Sequence, residues 1–528
     1  MRTPLPYRRS FLAMTGVSTA AFVLGTGRAA SAEDLEGGRL PADPFTLGVA
    51  SGDPLPDGVV LWTRLAPEPL APDGHGGMPR GSYAVHYEVA EDERFSRIAA
   101  RGRVTATAEL GHAVHAEVHG LRPGREYFYR FKAGGHLSPV GRTRTAPDPR
   151  SKVTAFRFAT ASCQAYYHGY FTAYQHMAAE DLDVVFFLGD YIYEYGITTA
   201  NWRRQGQPLP PAPHNADVYT LEQYRLRYSL FRTDPDLQRL HASVPWVVTT
   251  DDHEVVNNYA DDKDEYGTPS GDVLRRRAVA YRAFYENLPL RSTTRPHGPD
   301  LPLYRRLRWG SLADVDVLDT RQYRDFYPAG AVIDNAPERL DPKRTILGSR
   351  QEKWLYDGFR RSDATWNVLA QGVVMAAIDR DTGPGELYSN DQWDGFPANR
   401  DRLYAAMRRY DIANPVVLTG DVHHHIAIEH KADWKDPDSA TIATELVGTS
   451  IGSDGDGAET DSYGPLWLAN KHVKLYNARR GYLSCTMTPE RLTSEFRTLP
   501  YVTRPGAPVN TLARFVTEAG RPGLIREV

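Results

Sequence analysis

One pattern, repeated five times, constrains the fold most: an apolar β-branched run that ends in side chains able to bind metals or anions. The clearest case is residues 184–187, which lead into LGDYIYE and bring Asp190 and Tyr193 to the end of a predicted strand. The other four runs are FRFATASCQ, WVVTTDDHE, DVDVLDTRQ and VVLTGDVHHH. Ligands bind at the carboxyl ends of strands in open α/β sheets, so these side chains are expected at one edge. The pattern predicts a polynuclear metal site at that edge.

Helical periodicity alternates with strands from residue 153 onward. Predicted helices cover residues 171–180, 221–230, 273–286, 351–361 and 399–409, and β-rich runs follow at 441–446 and 481–486. This alternation is typical of βαβ units with right-handed crossovers. We therefore predict an α/β sandwich of mixed sheets for residues 153–515, with residues 516–528 as a C-terminal tail.

Residues 41–148 have a different pattern, in which short alternating runs are separated by Gly, Pro and Asp. Its last part, GLRPGREYFYRFKAGGHLSPVGRTRTAP, resembles a fibronectin type III-like module. In that module Tyr127 takes the place of the tyrosine-corner residue, and Trp62 is expected to be the core aromatic. Metal-type ligands do not cluster in this segment, so we predict a structural β-sandwich joined to the next domain by residues 145–152.

The first 32 residues have the pattern of an export signal. Arg8 and Arg9 precede a short, mildly apolar stretch at 13–26, which ends in the small residues Ala30-Ser31-Ala32. The arginine pair followed by Phe-Leu resembles a twin-arginine signal, although an ordinary secretory signal with a chance arginine pair is the alternative. We expect the twin-arginine translocase to carry the folded protein out of the cytoplasm, with metal already inserted.

Charge and hydropathy exclude two classes of partner. The net charge of −4 gives no basis for nucleic-acid binding, which requires a basic surface. The apolar stretch at 13–26 is too short to span a bilayer, and no later segment reaches that length. We expect a monomer that is not an integral membrane protein.

The chain has only two cysteines, Cys163 and Cys485. A disulfide between them is the ordinary interpretation for an exported protein. Cys163, however, ends a strand among predicted ligands, whereas Cys485 lies in a predicted buried strand. We therefore favour two free thiols, one of them a ligand.

The chemistry of the strand-end residues favours iron beside a second cation. The Asp190 carboxylate has two oxygens and can bridge two ions. A Tyr193 phenolate and a Cys163 thiolate form only beside a strong Lewis acid, which points to ferric iron, and His423 adds an imidazole. Singly, each residue has a more common structural role, as a turn, packing or core residue. Their joint position at strand ends favours ligation.

Two further segments supply charged groups. The adjacent carboxylates of DDHE, at 251–254, repel each other unless a cation neutralises one, with a salt-bridged surface turn as the alternative. Asn257 follows and offers an amide for substrate or hydrogen bonds. Arg321, just beyond Asp319, is placed either to bind an oxyanion bidentately or to form a structural ion pair.

Taken together, these motifs resemble the PhoD-type alkaline phosphatases, metallophosphoesterases related to the purple acid phosphatases. The resemblance covers nearly the whole chain after the predicted signal and implies a four-layer αββα sandwich. The motifs that carry it are SCQ at 162–164, GDYIYE at 189–194, DDHE at 251–254, DTRQYR at 319–324, WNVLAQ at 366–371, GDVHHH at 420–425 and NARRGYLSCTMTPER at 477–491.

The resemblance implies a centre of one ferric iron and one or two calcium ions. Carried over by motif, the iron ligands are Cys163, Asp190, Tyr193 and His423. Asp190 would bridge to a calcium that is also held by Asp252 and Asp421. The purple acid phosphatases have GNHE and GHxH where this chain has DDHE and GDVH, and the added carboxylates favour a hard, oxygen-loving cation. Gln371 takes the place of a further histidine ligand.

The mechanism implied by the resemblance is hydrolysis of phosphate mono- or diesters by attack of a metal-bound hydroxide on phosphorus. Arg321 would meet charge on the phosphoryl group, and His253 would stabilise the transition state or protonate the leaving group. Two other classes stay open from the residues alone. One is an exported iron oxidoreductase, and the other is a non-catalytic binding protein with structural cations.

Overall fold

The computed structural model describes residues 40–327, 330 and 332–528 of the 528-residue chain. The predicted signal, residues 1–32, lies outside the described residues. No helix of the described part is long and apolar enough to cross a membrane.

The N-terminal module is the predicted β-sandwich. Strands β1, β2 and β5 form one antiparallel sheet, and β4, β3 and β6 form the other, with β7 and β8 both paired to β6. The bounds are β1 Val49–Leu55, β2 Gly58–Arg64, β3 Ser82–Ala90, β4 Ile98–Thr107, β5 Ala113–Val118, β6 Glu126–Ala133, β7 His136–Leu137 and β8 Gly141–Arg144.

The two aromatic predictions for this module have different outcomes. Tyr127 is buried, and its phenol oxygen accepts the backbone N–H of Arg122 at 2.9 Å, as a tyrosine corner does. The expectation for Trp62 is wrong. Val59 and Leu61 face the module core, so Trp62 lies on the opposite face of β2 and donates its indole N–H to the carbonyl of Glu286 in the second domain.

The second domain contains the predicted alternation of helices and strands. The strands are β9 Phe156–Ala161, β10 Val184–Leu188, β11 Trp246–Thr249, β12 Arg305–Trp309, β13 Ala313–Val317, β14 Ile333–Asp334, β15 Trp366–Ala370, β16 Tyr388–Ser389, β17 Pro415–Thr419, β18 His425–Lys431, β19 Thr441–Val447, β20 Gly457–Ala458, β21 Val473–Met487, β22 Arg491–Leu499, β23 Asn510–Glu518 and β24 Arg521–Arg526. The helices are α1 Thr172–Met177, α2 Leu221–Arg232, α3 Pro235–Ser243, α4 Ser270–Asn287, α5 Gly348–Phe359, α6 Pro397–Arg409 and α7 Gly464–Leu468.

Two mixed sheets run through this domain and share one strand. In the first, β11, β10 and β9 are parallel, and β9 continues antiparallel into β21, β22, β23 and β24. In the second, β13, β15, β17 and β19 are parallel, with β12 antiparallel at one edge and β18 beyond β19. The 15-residue β21 pairs with β18 through its first half and with β9 and β22 through its second half.

Side-chain alternation along the strands sorts the core into layers. Phe186 on β10 and Val368 on β15 face each other's sheets in a core shared by both. Phe187 on β10 faces the cluster that contains α1–α4, and Leu369 on β15 faces the cluster that contains α5 and α6. Helices therefore cover both outer faces, and the fold is the predicted αββα sandwich.

The prediction of a separate tail from residue 516 is wrong. Strands β23 and β24 form an antiparallel hairpin in which Val516 pairs with Ile525, and Phe515 packs in the core between the sheets. The edge of the first sheet thus extends to residue 526.

Candidate metal centre

The chain turns sharply where strands deliver the predicted ligands. Non-glycine residues rarely adopt positive φ, and such strained backbone clusters at functional sites. Four of the six predicted metal ligands have this conformation, namely Cys163 at φ 58°, Asp190 at 61°, Asp421 at 63° and His423 at 56°. The turns bring side chains from the ends of β9, β10 and β17 to one edge.

The four residues predicted to bind iron lie together. Donor atoms of Cys163, Asp190 and His423 are within 4.8 Å of one another. The Tyr193 phenol donates to Oδ2 of Asp190 at 3.0 Å and lies 3.2 Å from Nε2 of His423. Ser453 donates its hydroxyl hydrogen to the same phenol oxygen at 2.7 Å. All four predicted ligands therefore face a common point.

A carboxylate orients the histidine of this group. Asp454 Oδ2 lies 2.6 Å from Nδ1 of His423, so Nδ1 carries the proton and Nε2 is the nitrogen with a free lone pair. Burial alone would raise the pKa of Asp454, but its hydrogen bond and charge interaction with His423 hold that pKa below its ordinary value. Nothing in the sequence singled out Asp454, because it lies in a glycine-rich loop 31 residues after its partner.

The predicted calcium ligands form an adjoining acidic group. Carboxylate oxygens of Asp251, Asp252 and Asp421 lie within 4.8 Å of one another, and Asp190 and Asp252 form a similar group with His253. Asp190 belongs both to this second group and to the iron group, as a bridging ligand requires.

The raised pKa values of the predicted ligands indicate that the site needs added positive charge. Burial raises the pKa of Asp190 and of Asp421 well above the ordinary range, and neighbouring carboxylates add to the rise. Burial and the charge of Asp190 likewise raise the pKa of Cys163, and of Tyr193. Ionising these groups together requires compensating positive charge. The donor set therefore fits a centre of more than one cation.

Arg321 does not have the predicted substrate-binding role. Its guanidinium is fully buried and donates to both carboxylate oxygens of Asp251, at 2.7 and 3.0 Å, and to both of Asp391, at 2.6 and 3.1 Å. The fifth N–H donates to the Tyr327 hydroxyl at 3.1 Å. All five donors are used within the protein, so Arg321 forms the structural ion pair that the sequence also allowed.

Two glycines make room for Asp251 in this pair. A Cβ on Gly189 would lie 2.4 Å from the Cβ of Asp251, and a Cβ on Gly372 would lie 2.7 Å from Oδ1. Gly189 also has a φ of 109°, which side chains rarely allow. The glycine of the GD motif is thus required by the close approach of the neighbouring strand end.

His253 has a fixed orientation beside the acidic group. Its Nδ1 lies 2.7 Å from Oε2 of the buried Glu194, and its ring lies against Tyr193, with centroids 4.2 Å apart. Burial alone would lower the pKa of His253, but Glu194, Asp252 and Asp190 together raise it well above the ordinary value. Glu194 and the Tyr193 ring therefore fix the imidazole beside the donor atoms.

Two other predicted residues have protein partners instead. The Asn257 side chain donates to Glu265, and its backbone N–H donates to Glu194 at 2.8 Å. Gln371 donates to the Thr419 hydroxyl at 2.8 Å and accepts the indole N–H of Trp393 at 3.2 Å. Neither side chain is directed at the donor cluster. The amide of Gln392, which was not predicted, donates to Asp421 Oδ2 at 2.7 Å.

The cysteines are free, as favoured. Cys163 lies in the cluster, whereas Cys485 lies in the core between the two sheets. The disulfide alternative is not realised.

Comparison with known proteins identifies the family. The family model of PhoD-like phosphatases matches residues 158–496, and the model of their N-terminal domain matches residues 29–147. The chain belongs to the PhoD-like phosphatase family. Alkaline phosphatase D of Bacillus subtilis (strain 168) is 46% identical over 532 residues, an alignment that covers 98% of this chain and 88% of that protein.

A solved structure of PhoD resembles this PhoD-like phosphatase throughout. The two share 45% identity and a TM-score of 0.88, and the match covers 93% of each chain. Membership of this family answers the question that the residues left open between hydrolase, oxidoreductase and binding protein. The chain is a metal-dependent phosphoric ester hydrolase.

Proposed function

We propose that this PhoD-like phosphatase hydrolyses phosphate monoesters, diesters or both at a centre that holds ferric iron beside calcium. The observation that carries the proposal is the position of the Tyr193 phenol, within hydrogen-bond distance of Asp190 and His423 and beside Cys163. A phenol, a thiol, an imidazole and a carboxylate around one point match the donor preferences of ferric iron.

The second position has oxygen donors from carboxylates. Asp190, Asp252 and Asp421 each bring a buried or nearly buried carboxylate, which suits calcium with its preference for many oxygen ligands. Arg321 lies 3.8 Å from Asp252 and 3.6 Å from Asp421, so it stabilises part of this negative charge. The arrangement supports a calcium site that shares Asp190 with the iron site.

When bound, the two ions would supply positive charge to the phosphoryl oxygens and lower the pKa of an attacking water. The protein groups have separate tasks. Nδ1 of His253 is engaged by Glu194, so its other nitrogen is the one that can donate a proton to the leaving oxygen. Asp454 and Ser453 hold His423 and Tyr193 in place.

We also propose export by the twin-arginine translocase and a monomeric state. The support for export is the Arg8-Arg9 pair with its apolar stretch and Ala30-Ser31-Ala32. Replacement of both arginines by lysine should retain the protein in the cytoplasm of the producing cell. Export that continues in this variant would contradict the proposed route. The molecular mass measured by analytical ultracentrifugation would test the monomeric state.

The decisive experiment measures metals and hydrolysis on the same samples. The purified protein should contain iron and calcium, and it should hydrolyse chromogenic phosphate esters in a way that a calcium chelator suppresses and calcium restores. The ratio of monoester to diester turnover would define the substrate class. Iron and calcium at full occupancy without any hydrolysis would contradict the proposal.

A matched pair of variants assigns the centre. Asp190→Asn keeps a residue that tolerates positive φ and should lose both metals and turnover. Asp438→Ala, an exposed aspartate far along the chain, should retain both. Full metal content in the Asp190 variant would overturn the assigned ligands.

A further inference from the structure

Two neighbouring loop residues contact three of the four proposed iron ligands. The hydroxyl oxygen of Ser453 lies 2.7 Å from the phenol oxygen of Tyr193, and its backbone N–H donates to the carbonyl of Cys163 at 3.3 Å. Oδ2 of Asp454 lies 2.6 Å from Nδ1 of His423. The peptide group that joins Ser453 to Asp454 therefore sets the positions of both side chains relative to the ligands.

Arg480 binds that peptide group from within the protein. One terminal nitrogen of its guanidinium donates to the carbonyl of Ser453 at 2.8 Å and to the hydroxyl oxygen of Ser450, also at 2.8 Å. The Ser450 hydroxyl in turn donates to the same carbonyl at 3.0 Å. The other terminal nitrogen donates to the carbonyl of Ala478 at 2.5 Å. Arg480 belongs to the motif NARRGYLSCTMTPER, which provides none of the predicted metal ligands.

The guanidinium of Arg480 is a buried charge with neutral acceptors. The residue is 3% exposed, and among the described residues no carboxylate forms an ion pair with it. Burial of a charge without an ion pair is costly, and this burial lowers the pKa of Arg480. In return, a charge-assisted hydrogen bond holds the carbonyl of Ser453 more firmly than a neutral donor would.

The next peptide group also has side-chain partners. The backbone N–H of Asp454 donates to Nδ1 of His168 at 3.0 Å, and its carbonyl accepts a hydrogen bond from Arg203 at 2.5 Å. Asp454 has a φ of 68°, a conformation that non-glycine residues rarely adopt. Of the three side chains that fix this strained turn, Arg480 is the buried one, whereas His168 is half-buried and Arg203 is exposed.

We propose that Arg480 is a positioning residue of the iron site. It fixes the peptide group between Ser453 and Asp454, and the side chains on either side of that group hold two of the iron ligands in place. The inference rests on the proposed function, because it assigns a support to the ligands of that centre. Loss of such an outer partner typically changes metal affinity or activity by about 10- to 100-fold.

The test compares Arg480→Met with Arg479→Met. Methionine removes the charge and the donors and keeps an unbranched apolar stem. Arg479 is the matched control because it is the preceding residue of β21, but its side chain is 30% exposed and donates to the carbonyl of Pro500 at 3.2 Å. The Arg480 variant should bind iron about 10- to 100-fold more weakly, and its phenolate-to-iron absorption should shift or weaken at equal iron content. The Arg479 variant should keep the wild-type values.

A further variant separates positioning from a general loss of stability. Arg225 is also buried, donates to both carboxylate oxygens of Glu286 at 2.6 and 2.7 Å, and links them to the carbonyl of Glu109 in the N-terminal module. Arg225→Met should lower the thermal midpoint of unfolding at least as much as Arg480→Met does. Its iron affinity and its visible absorption should match those of the wild type.

The outcomes divide clearly. Unchanged iron affinity and absorption in Arg480→Met would overturn the inference, and so would equal losses in Arg225→Met. Partial recovery in Arg480→Lys, which keeps a charged donor, would support it. If the wild-type protein binds iron but hydrolyses no phosphate ester, the proposed function fails, while the iron affinities of the variants still test Arg480.

A measurement that needs no metal covers the remaining case, in which the wild-type protein binds no iron and the proposed centre fails. Amide hydrogen exchange reports local opening of the loop at residues 449–456. Exchange in this loop should be faster in Arg480→Met than in the wild type and unchanged in Arg479→Met. Exchange as slow in Arg480→Met as in the wild type would overturn the anchoring role.

Discussion

The Nδ1 atom of His253 lies 2.7 Å from Oε2 of Glu194, and the other oxygen of that carboxylate accepts the backbone N–H of Asn257 at 2.8 Å. One buried carboxylate thus fixes both the imidazole and the loop that follows it. Because Nδ1 is engaged, the protonation state and the ring orientation are set together, and the remaining nitrogen is left for the substrate.

Replacement of Glu194 by Gln should lower kcat by about 10- to 100-fold, the range for partners that orient a functional group, with little change in KM. Glutamine has one neutral oxygen in place of two ionised ones. It therefore cannot accept hydrogen bonds from both the His253 ring and the backbone N–H of Asn257. Steady-state kinetics on samples of known metal content would measure the effect.

The exposed Glu265, which contacts the Asn257 side chain, provides the control for Glu194. Glu265→Gln should leave kcat near the wild-type value. A double variant with His253→Gln should lose no more than His253→Gln alone. Additive losses would show that Glu194 acts through another residue.

Replacement of Tyr193 by Phe should remove the phenol from the iron site. A phenolate bound to ferric iron gives visible absorption by charge transfer, so the variant should lose intensity in that band and retain less iron. Tyr167→Phe is the control, since Tyr167 is buried at a ring distance of 6.4 Å from Tyr193 outside the donor cluster. Absorption and iron content equal to those of the wild type would remove Tyr193 from the ligand set.

Replacement of Arg321 by Met should destabilise the protein rather than weaken substrate binding. Asp251 would lose its cation while buried, whereas Asp391 keeps Arg324 at 3.1 Å, and leaving a buried charge unpaired costs about 3–5 kcal/mol in the free energy of unfolding. Denaturant unfolding of the metal-free protein would measure the loss. Adding Asp251→Asn to the variant should restore part of it, because the unpaired charge is removed. An unchanged unfolding free energy with a raised KM would instead favour the oxyanion role.

The layers and the metal ligands were predictable because they follow from local periodicity. Each strand end shows its polar residue in the sequence, and parallel strands bring these ends to one edge. The donor atoms of Cys163, Asp190 and His423 meet there, although up to 260 residues separate these residues in the chain. Tyr193 and Ser453, also 260 residues apart, meet at the same place.

The partners of charged side chains were not predictable in the same way. Arg321 next to a strand end is compatible with a substrate contact and with an ion pair, and only the approach of Asp391 from a distant loop decides between them. The position of Trp62 was not predictable for a related reason. Every residue of β2 is buried, so the alternation of side chains along the strand could not show which face meets the module core. Asp454 lies in a loop, where no period marks a position.

His112 in the N-terminal module provides a test far from the metal centre. Its ring is buried, and neither ring nitrogen has a hydrogen-bond partner within the described residues. Burial lowers the pKa of His112 to about 4, and the neighbouring His75 and Arg64 add to the effect. The residue has a φ of 59°, which asparagine also tolerates, so His112→Asn is the suitable replacement.

Acidification from neutral pH should therefore destabilise the wild-type protein more than it destabilises the His112→Asn variant. An unfolded chain takes up the histidine proton near pH 6.5, whereas the folded chain takes it up near pH 4, so acidification between these values favours unfolding. The difference in unfolding free energy between wild type and variant should shift by up to about 3 kcal/mol from pH 7.5 to pH 4. Thermal and denaturant unfolding at both pH values would measure it. A difference that stays constant with pH would show that His112 is protonated equally in both states.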